Sequence, residues 1–457
     1  MSVISSVVSP SPIRSVFIAT RWYQLSPRNT VLVLLPLLSL LGLIGTWGLA
    51  RTNGLLVSIL ELISGEEAKL PPTGDPLLKT YTHIKVVDYQ LSILVTFFTP
   101  LLNLSHGELT LFGIHGFGQL GAAWTLIMME GMRMGNRPRP EDSTQLLSRL
   151  WSQLKRPNIV VIGLLCQTVS FAVTVPLWLI WHIVASPVAK SFPGAYASKI
   201  LLVPLWDLRI LPISVFLGYI MPSILMALPS PEYLSSSARQ NYIAIWQFFP
   251  FWTSRIHWLL ISLTRYILKK FFKNHANARP STSEGTSYLS NVKHVYRFVL
   301  TLCMLTHIPV VIIALTPTFA FPVWAPTLAL LGKQNIFRVF VPYFPFRDHQ
   351  LSNQAEGVQT FLIWDLYIGG AAFLVWAIFL YRNATSEKAI VDTKTSLPIY
   401  GELLRGNDPQ TPRDVDLWRI LLGKIAVWTL VSGPMGALTI LLWERDAIVR
   451  QKIKQGL

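Results

Sequence analysis

The sequence predicts an all-α polytopic membrane protein of about eight transmembrane helices (seven to nine), with interfacial or re-entrant segments between them. Three observations carry that reading. Of 457 residues, 51% are hydrophobic and only 14% charged, against about a quarter charged in a soluble domain. The mean hydropathy is +0.45. The apolar residues also fall into uncharged runs near the length of about 20 residues that crosses a bilayer, while the charges gather between them.

The candidate spans are Thr30–Ala50, Tyr89–Gly107, Leu109–Met129, Pro157–Ala189, Ile210–Pro231, Phe298–Gly332, Gly357–Tyr381 and Ile425–Trp443. Thr30–Ala50 is too long for a signal-peptide core and reads as a retained first helix. Gly54–Ser64 is apolar but short, which suits an interfacial position, and Pro71-Pro72-Thr73-Gly74 reads as a turn. Only a few residues separate the second and third spans, so they form an antiparallel hairpin. Pro317, Pro322 and Pro326 break the over-long Phe298–Gly332 run.

The expected organisation is a single membrane domain over 1–457, with an N-terminal tail at 1–29 and polar loops at 133–156, 265–297 and 382–417. The net charge of +16 matches the Lys/Arg excess of cytoplasmic loops. No soluble stretch is long enough to gather it for nucleic acid, so no nucleic-acid partner is expected. Placing the first two basic loops on one side requires an even number of crossings between them. Tyr242–Trp258, with Trp246, Trp252, Arg255 and Trp258, is therefore read as an interfacial or re-entrant aromatic segment. Cys166 and Cys303 lie in apolar runs and read as small core residues.

An ionisable group inside a span is costly and marks a functional candidate. Asp365, flanked by Trp364 and Tyr367, stands roughly 12 Å into its run at 1.5 Å per residue. Asp88, followed by Tyr89, opens the second span, and Glu130 closes the third, so antiparallel packing returns both carboxylates to one leaflet. Arg133, three residues after Glu130, is placed for an ion pair. Trp206-Asp207-Leu208-Arg209 reads as an interfacial anchor with a local salt bridge, and Glu444-Arg445-Asp446 as a solvated cap.

Several chemistries lack their motifs. There is no aspartate-rich diphosphate site; the nearest acid string, Asp414-Val415-Asp416, is short of a third aspartate and reads as loop. No histidine set suits a di-iron centre, and there is no nucleophile elbow or phosphate loop. The expected reaction uses no metal and no cofactor. What remains is isolated carboxylates among 16 Trp, 14 Tyr and 23 Phe. A neutral carboxylic acid in an apolar cavity can deliver a proton, and aromatic faces stabilise a cation on carbon.

Trp124 precedes Glu130-Gly131-Met132-Arg133-Met134-Gly135-Asn136. This Glu-x-x-Arg-x-Gly-Asn string and the hydropathy profile resemble the fungal integral-membrane terpene cyclases of meroterpenoid pathways, of the ascochlorin, ascofuranone and macrophorin type. The resemblance implies cyclisation of the farnesyl tail of a prenylated aromatic, begun by protonating a terminal epoxide or olefin. It also implies residence in an internal membrane such as the endoplasmic reticulum, with the bilayer and a lipophilic prenylated substrate as partners. On it Glu130, Arg133 and Asn136 become site candidates, whereas Asp88 and Asp365 rest on the physical argument.

The expected catalytic set is Asp365, Glu130 and Asp88. Arg133, Asn136, Trp124, Tyr89, Trp364 and Tyr367 are expected to bind substrate. Because pairing with Arg133 favours an ionised Glu130, Asp365 is the preferred acid. A proton-coupled transporter or lipid-binding protein is the alternative that uses the same carboxylates. An acyltransferase would instead use a buried histidine such as His307 with an asparagine partner.

Overall fold

Inside hydrocarbon a backbone must satisfy its own hydrogen bonds, so apolar runs of this length become helices. The computed structural model describes residues 27–71, 73–137, 158–190, 200–271, 286–317, 331, 335–345, 350–385 and 414–454. Most of the expected N-terminal tail and polar loops, and Pro322 and Pro326 of the broken segment, lie outside the described residues.

Among the described residues the helices are α1 (Pro27–Thr52), α2 (Leu55–Ser64), α3 (Lys85–Leu102), α4 (Gly107–Met132), α5 (Ile159–Thr168), α6 (Phe171–Ala185), α7 (Leu205–Met226), α8 (Ser236–Trp246), α9 (Phe249–Phe271), α10 (Thr286–Leu315), α11 (Ile336–Phe340), α12 (Gln354–Thr385) and α13 (Asp414–Lys454). The expected turn at 71–74 joins a small antiparallel pair, β1 (Lys69–Leu70) and β2 (Asp75–Pro76). Among the described residues seven helices, α1, α3, α4, α7, α10, α12 and α13, are by length and composition alone long and apolar enough to cross a membrane. The chain is an all-α, multi-pass membrane protein.

Two apolar runs reverse at membrane depth instead of crossing. The first is Pro157–Ala189, expected as one span. It divides at Ser170 (φ 138°) into α5 and α6, of 10 and 15 residues. Ile159, at the start of α5, packs on Gly131 near the end of α4. Ser186, just past α6, donates to Asn136 Oδ1 at 2.6 Å. Both ends therefore lie beside residues 131–136, and the segment enters and leaves by one face. Length alone predicted a crossing because length carries no information about direction.

The second reversal is in α13. Lys424 Nζ meets Glu444 Oε1 at 2.7 Å, although a straight helix would hold them about 30 Å apart. The turn is at Gly433 (φ 75°, ψ 175°), followed by Pro434. Gln119 of α4 spans the break: its Nε2 donates to Ser432 O at 3.0 Å, and its Oε1 accepts from Met435 N at 2.9 Å. Proline has no N–H to offer the carbonyl four residues back, and His307 Nε2 stands 3.0 Å from that carbonyl, Leu430 O.

α7 and α9 lie antiparallel. Thr253 packs on Gly218, and His257 meets Asp207 at 3.3 Å. The end of α9 therefore returns to the face of Arg133, where α10 begins with Tyr288 accepting from Arg133 Nη1 at 3.2 Å. The described flanks of the first two basic loops thus share one face, as charge requires, but by another route. The α5–α6 run does not cross, and α9 makes the return. Tyr242–Trp258 is not one interfacial segment: α8 ends at a fully buried Trp246, while Trp258 is exposed. Asp414 and Asp416 begin a helix, not a loop.

Candidate active site

At the end of α4 the chain buries four charges. Glu130 Oε1 meets Arg133 Nη2 at 2.7 Å and Arg445 Nη2 at 2.8 Å; Asp446 meets Arg133 at 3.1 Å and Arg445 at 2.9 Å. The expected Glu130–Arg133 pair is present, but 445–446 is no solvated cap. Arg445 and Asp446 are only 3% and 4% exposed, and Glu444 alone faces outward, to Lys424. Charges removed from water persist only when paired and hydrogen-bonded. Tyr296 Oη donates to Asp446 at 2.8 Å, and Arg133 Nη1 to Leu201 O at 2.6 Å. Asn136 donates to Glu130 O at 2.9 Å. The Glu-x-x-Arg-x-Gly-Asn string therefore ties α4 to α6 and α13.

Asp88 does not join Glu130. Its Oδ1 accepts from Tyr81 N at 3.1 Å, Thr82 N at 2.6 Å and Thr82 Oγ1 at 2.8 Å, which anchors the loop before α3. Burial pushes the Tyr81 phenol up, with the Asp88 charge adding to it. Asp207 pairs with Arg137 at 2.5 Å, not with Arg209, which donates to Asn291 at 2.7 Å. His307 has His115 Nδ1 (3.1 Å) and a carbonyl as partners, and no asparagine.

The carboxylate in the wall of an apolar cleft is Asp365. A cleft of about 1100 Å³ of empty space, its open mouth included, lies between α3, α4 and α12, closed by α2, the Trp47 end of α1, Trp246 and the α5–α6 reversal. Asp365 is the one Asp, Glu, Lys, Arg or His among the described lining residues. Its Oδ1 accepts the Ala172 N–H at 2.9 Å, at the start of α6, where free N–H groups and the helix dipole favour negative charge. Ser170 breaks the run, and the break delivers a helix N-terminus to Asp365 in mid-membrane.

The cleft wall carries a chain of rings in edge-to-face contact. Trp47 meets Phe361 (5.6 Å between centroids), Phe361 meets Phe97 (5.2 Å), Phe97 meets Phe98 (5.3 Å), Phe98 meets Trp246 (5.4 Å) and Trp246 meets Phe117 (5.2 Å). Phe361 precedes Asp365 by four residues and lies on the same helix face. The acid thus stands at one part of a continuous π-surface.

The other expected binding residues lie elsewhere. Trp364 Nε1 donates to Tyr343 O at 2.8 Å and Tyr367 Oη to Phe340 O at 2.7 Å, on the far side of α12. Tyr89 is exposed. Trp124 is buried behind the cleft, donating to Thr253 Oγ1 at 2.8 Å. Sequence reasoning missed Arg445 and Asp446, whose signal was a second opposite-charge pair at a span end. It also missed Gln119; the Gly433-Pro434 dipeptide pointed to a break for it to fill. Cys166 and Cys303 are free and buried. Among the described residues no three His, Cys, Asp or Glu gather in a metal-binding group.

The sequence profile described as the CtvD domain matches residues 30–450. Curated relatives include "Terpene cyclase ctvD" of Aspergillus terreus, 28% identical over 416 residues, covering 90% of this chain and 97% of the relative. "Terpene cyclase ascI" of Acremonium egyptiacum is 27% identical over 425 residues (91% and 92% covered). "Terpene cyclase atmA" of Aspergillus flavus is 23% identical over 387 residues (82% and 86% covered). No solved structure matches the chain.

Proposed function

The chain belongs to the CtvD family, and from that membership we propose that it is a membrane terpene cyclase, one that protonates the terminal epoxide or olefin of a farnesylated aromatic. The observation that carries this reading is the lone carboxylate in the wall of a ring-lined cleft at membrane depth. The prenyl chain enters from lipid, and its terminal group lies against Asp365. As the Asp365 carboxyl gives up its proton, the Ala172 N–H and the α6 dipole stabilise the carboxylate that forms.

The cation then develops on carbon beside Phe361 and is passed along the ring chain, whose faces attract it. The Asp365 carboxylate takes the final carbon-bound proton, which restores the acid. In this scheme Glu130, Arg133, Asn136 and Asp88 hold helices in place and do not touch substrate, in keeping with the ion pairs and hydrogen bonds that each makes within the fold. The enzyme resides in an internal membrane, the endoplasmic reticulum.

The test is to incubate microsomes containing the protein with a farnesylated phenol and with its terminal epoxide. Mass spectrometry and NMR of the products then separate isomerisation from no reaction. A cyclised product of unchanged mass is expected. Recovery of both compounds unchanged, with the protein intact, refutes the proposal.

A further inference from the structure

The break that brings α6 to Asp365 is made at a serine, and serine is a costly residue there. Ser170 stands at φ 138°, ψ 147°, a region of backbone space that glycine enters freely and that crowds the Cβ of other residues. It is 4% exposed and lines the cleft. A strained conformation persists where its neighbours over-determine it, and such residues gather at functional sites.

The neighbours here come from two helices. From α1, Trp47 Nε1 donates to Val169 O and Ser39 Oγ to Val173 O at 3.0 Å, one on either side of the break. Gly42 brings α1 up to Ala172: a Cβ at 42 would lie 2.7 Å from Ala172 O. From α12, Gly369, one turn beyond Asp365, gives room to the Phe171 ring, which a Cβ would meet at 2.2 Å. The chain is thus held on both sides of residue 170, which leaves its φ and ψ little freedom.

Glycine would satisfy that backbone; what serine adds is a hydroxyl. Its oxygen accepts the Val173 N–H at 3.3 Å as the cap of α6, so the O–H proton is left to donate elsewhere. The Ser170 hydroxyl and the Phe171 N–H are hydrogen-bond donors to the Asp365 carboxyl beside the Ala172 N–H.

We propose that Ser170 is a positioning residue: with its backbone clamped by α1 and α12, its hydroxyl stabilises the Asp365 carboxylate that forms as the proton leaves, and it acts on the reaction only through Asp365. This rests on the cyclase reading above and adds a residue to its site. A donor aimed at charge that develops in the transition state lowers the barrier without tightening substrate binding.

The experiment compares the wild type with Ser170→Gly and Ser170→Ala, in microsomes supplied with the farnesylated phenol and its terminal epoxide. Glycine releases the strain and caps a helix almost as well as serine, so Ser170→Gly should melt at or above the wild-type temperature. Alanine keeps the Cβ and loses the cap, so Ser170→Ala should melt lower. Both should lose about 10- to 100-fold in kcat, the worth of one hydrogen bond to a charged group, with KM unchanged. In the Asp365→Asn background, Ser170→Gly should cost nothing more, because the two residues act as a unit.

A Ser170→Gly variant that cyclises at the wild-type rate overturns the inference and leaves the serine as a cap alone. So does a loss carried by KM, or a loss in the Asp365→Asn background equal to that in the wild type. A Ser170→Gly melting temperature below that of the wild type overturns the strain that singles the residue out. In each of these cases the wild type still converts substrate and the cyclase reading stands. Failure of the intact wild type to convert either compound overturns both.

Discussion

Replacing Asp365 by asparagine removes an acidic proton while leaving the shape of the site almost unchanged. Asn Oδ1 can keep the 2.9 Å bond from the Ala172 N–H, and asparagine serves a helix N-terminus about as well as aspartate. The stability change should therefore stay within about 1 kcal/mol. The chemical step loses its general acid, a contribution of about 10²- to 10⁴-fold, equivalent to roughly 3–5 kcal/mol in the barrier. The assay pairs product formation from the farnesylated phenol in microsomes with thermal unfolding of the extracted protein. A variant that unfolds like the wild type and cyclises at the wild-type rate refutes the assignment. Asp365→Ala separates the two effects further: it should lose the same activity and, in addition, about 1 kcal/mol from the lost bond to the Ala172 N–H.

Arg445→Met should lower stability by about 3–5 kcal/mol, because it leaves Glu130 and Asp446 with less positive charge than they were buried with. Adding Asp446→Leu should recover part of that loss in thermal unfolding, since the remaining Glu130–Arg133 pair is balanced. Gln119→Leu strips the partners from Ser432 O and Met435 N at the α13 reversal, an expected loss of about 1–3 kcal/mol for each group left unpaired; a melting temperature equal to the wild type contradicts that role. Phe361→Leu keeps the bulk of the cleft wall but removes the ring nearest Asp365, and should slow cyclisation by about 2- to 30-fold, for roughly 0.5–2 kcal/mol of cation–π stabilisation. The accompanying readout is the product mixture, which should shift towards structures quenched early in the cascade.

The amino-acid sequence by itself determined the solvent of this protein. Uncharged runs near bilayer length leave helices as the available structure, and the cost of a buried charge singles out Asp365 within them. The ion pair of Glu130 and Arg133 was equally legible, because helical spacing is a local property. Pairing over long distances was not. Arg445 lies 315 residues from Glu130, and nothing in composition says that a charge at a span end folds inward. Ser170 and Gly433 look alike on a hydropathy profile, as polar or small residues in apolar runs. Only the packing of Ile159 on Gly131, and of Lys424 on Glu444, shows that both runs turn back. That reversal sets the N-terminus of α6 against Asp365 and opens the cleft beside it. The carboxylate was written in the sequence; the helix end that stabilises its charge, and the rings that face it, are decided by tertiary structure, because they come from segments joined only by folding.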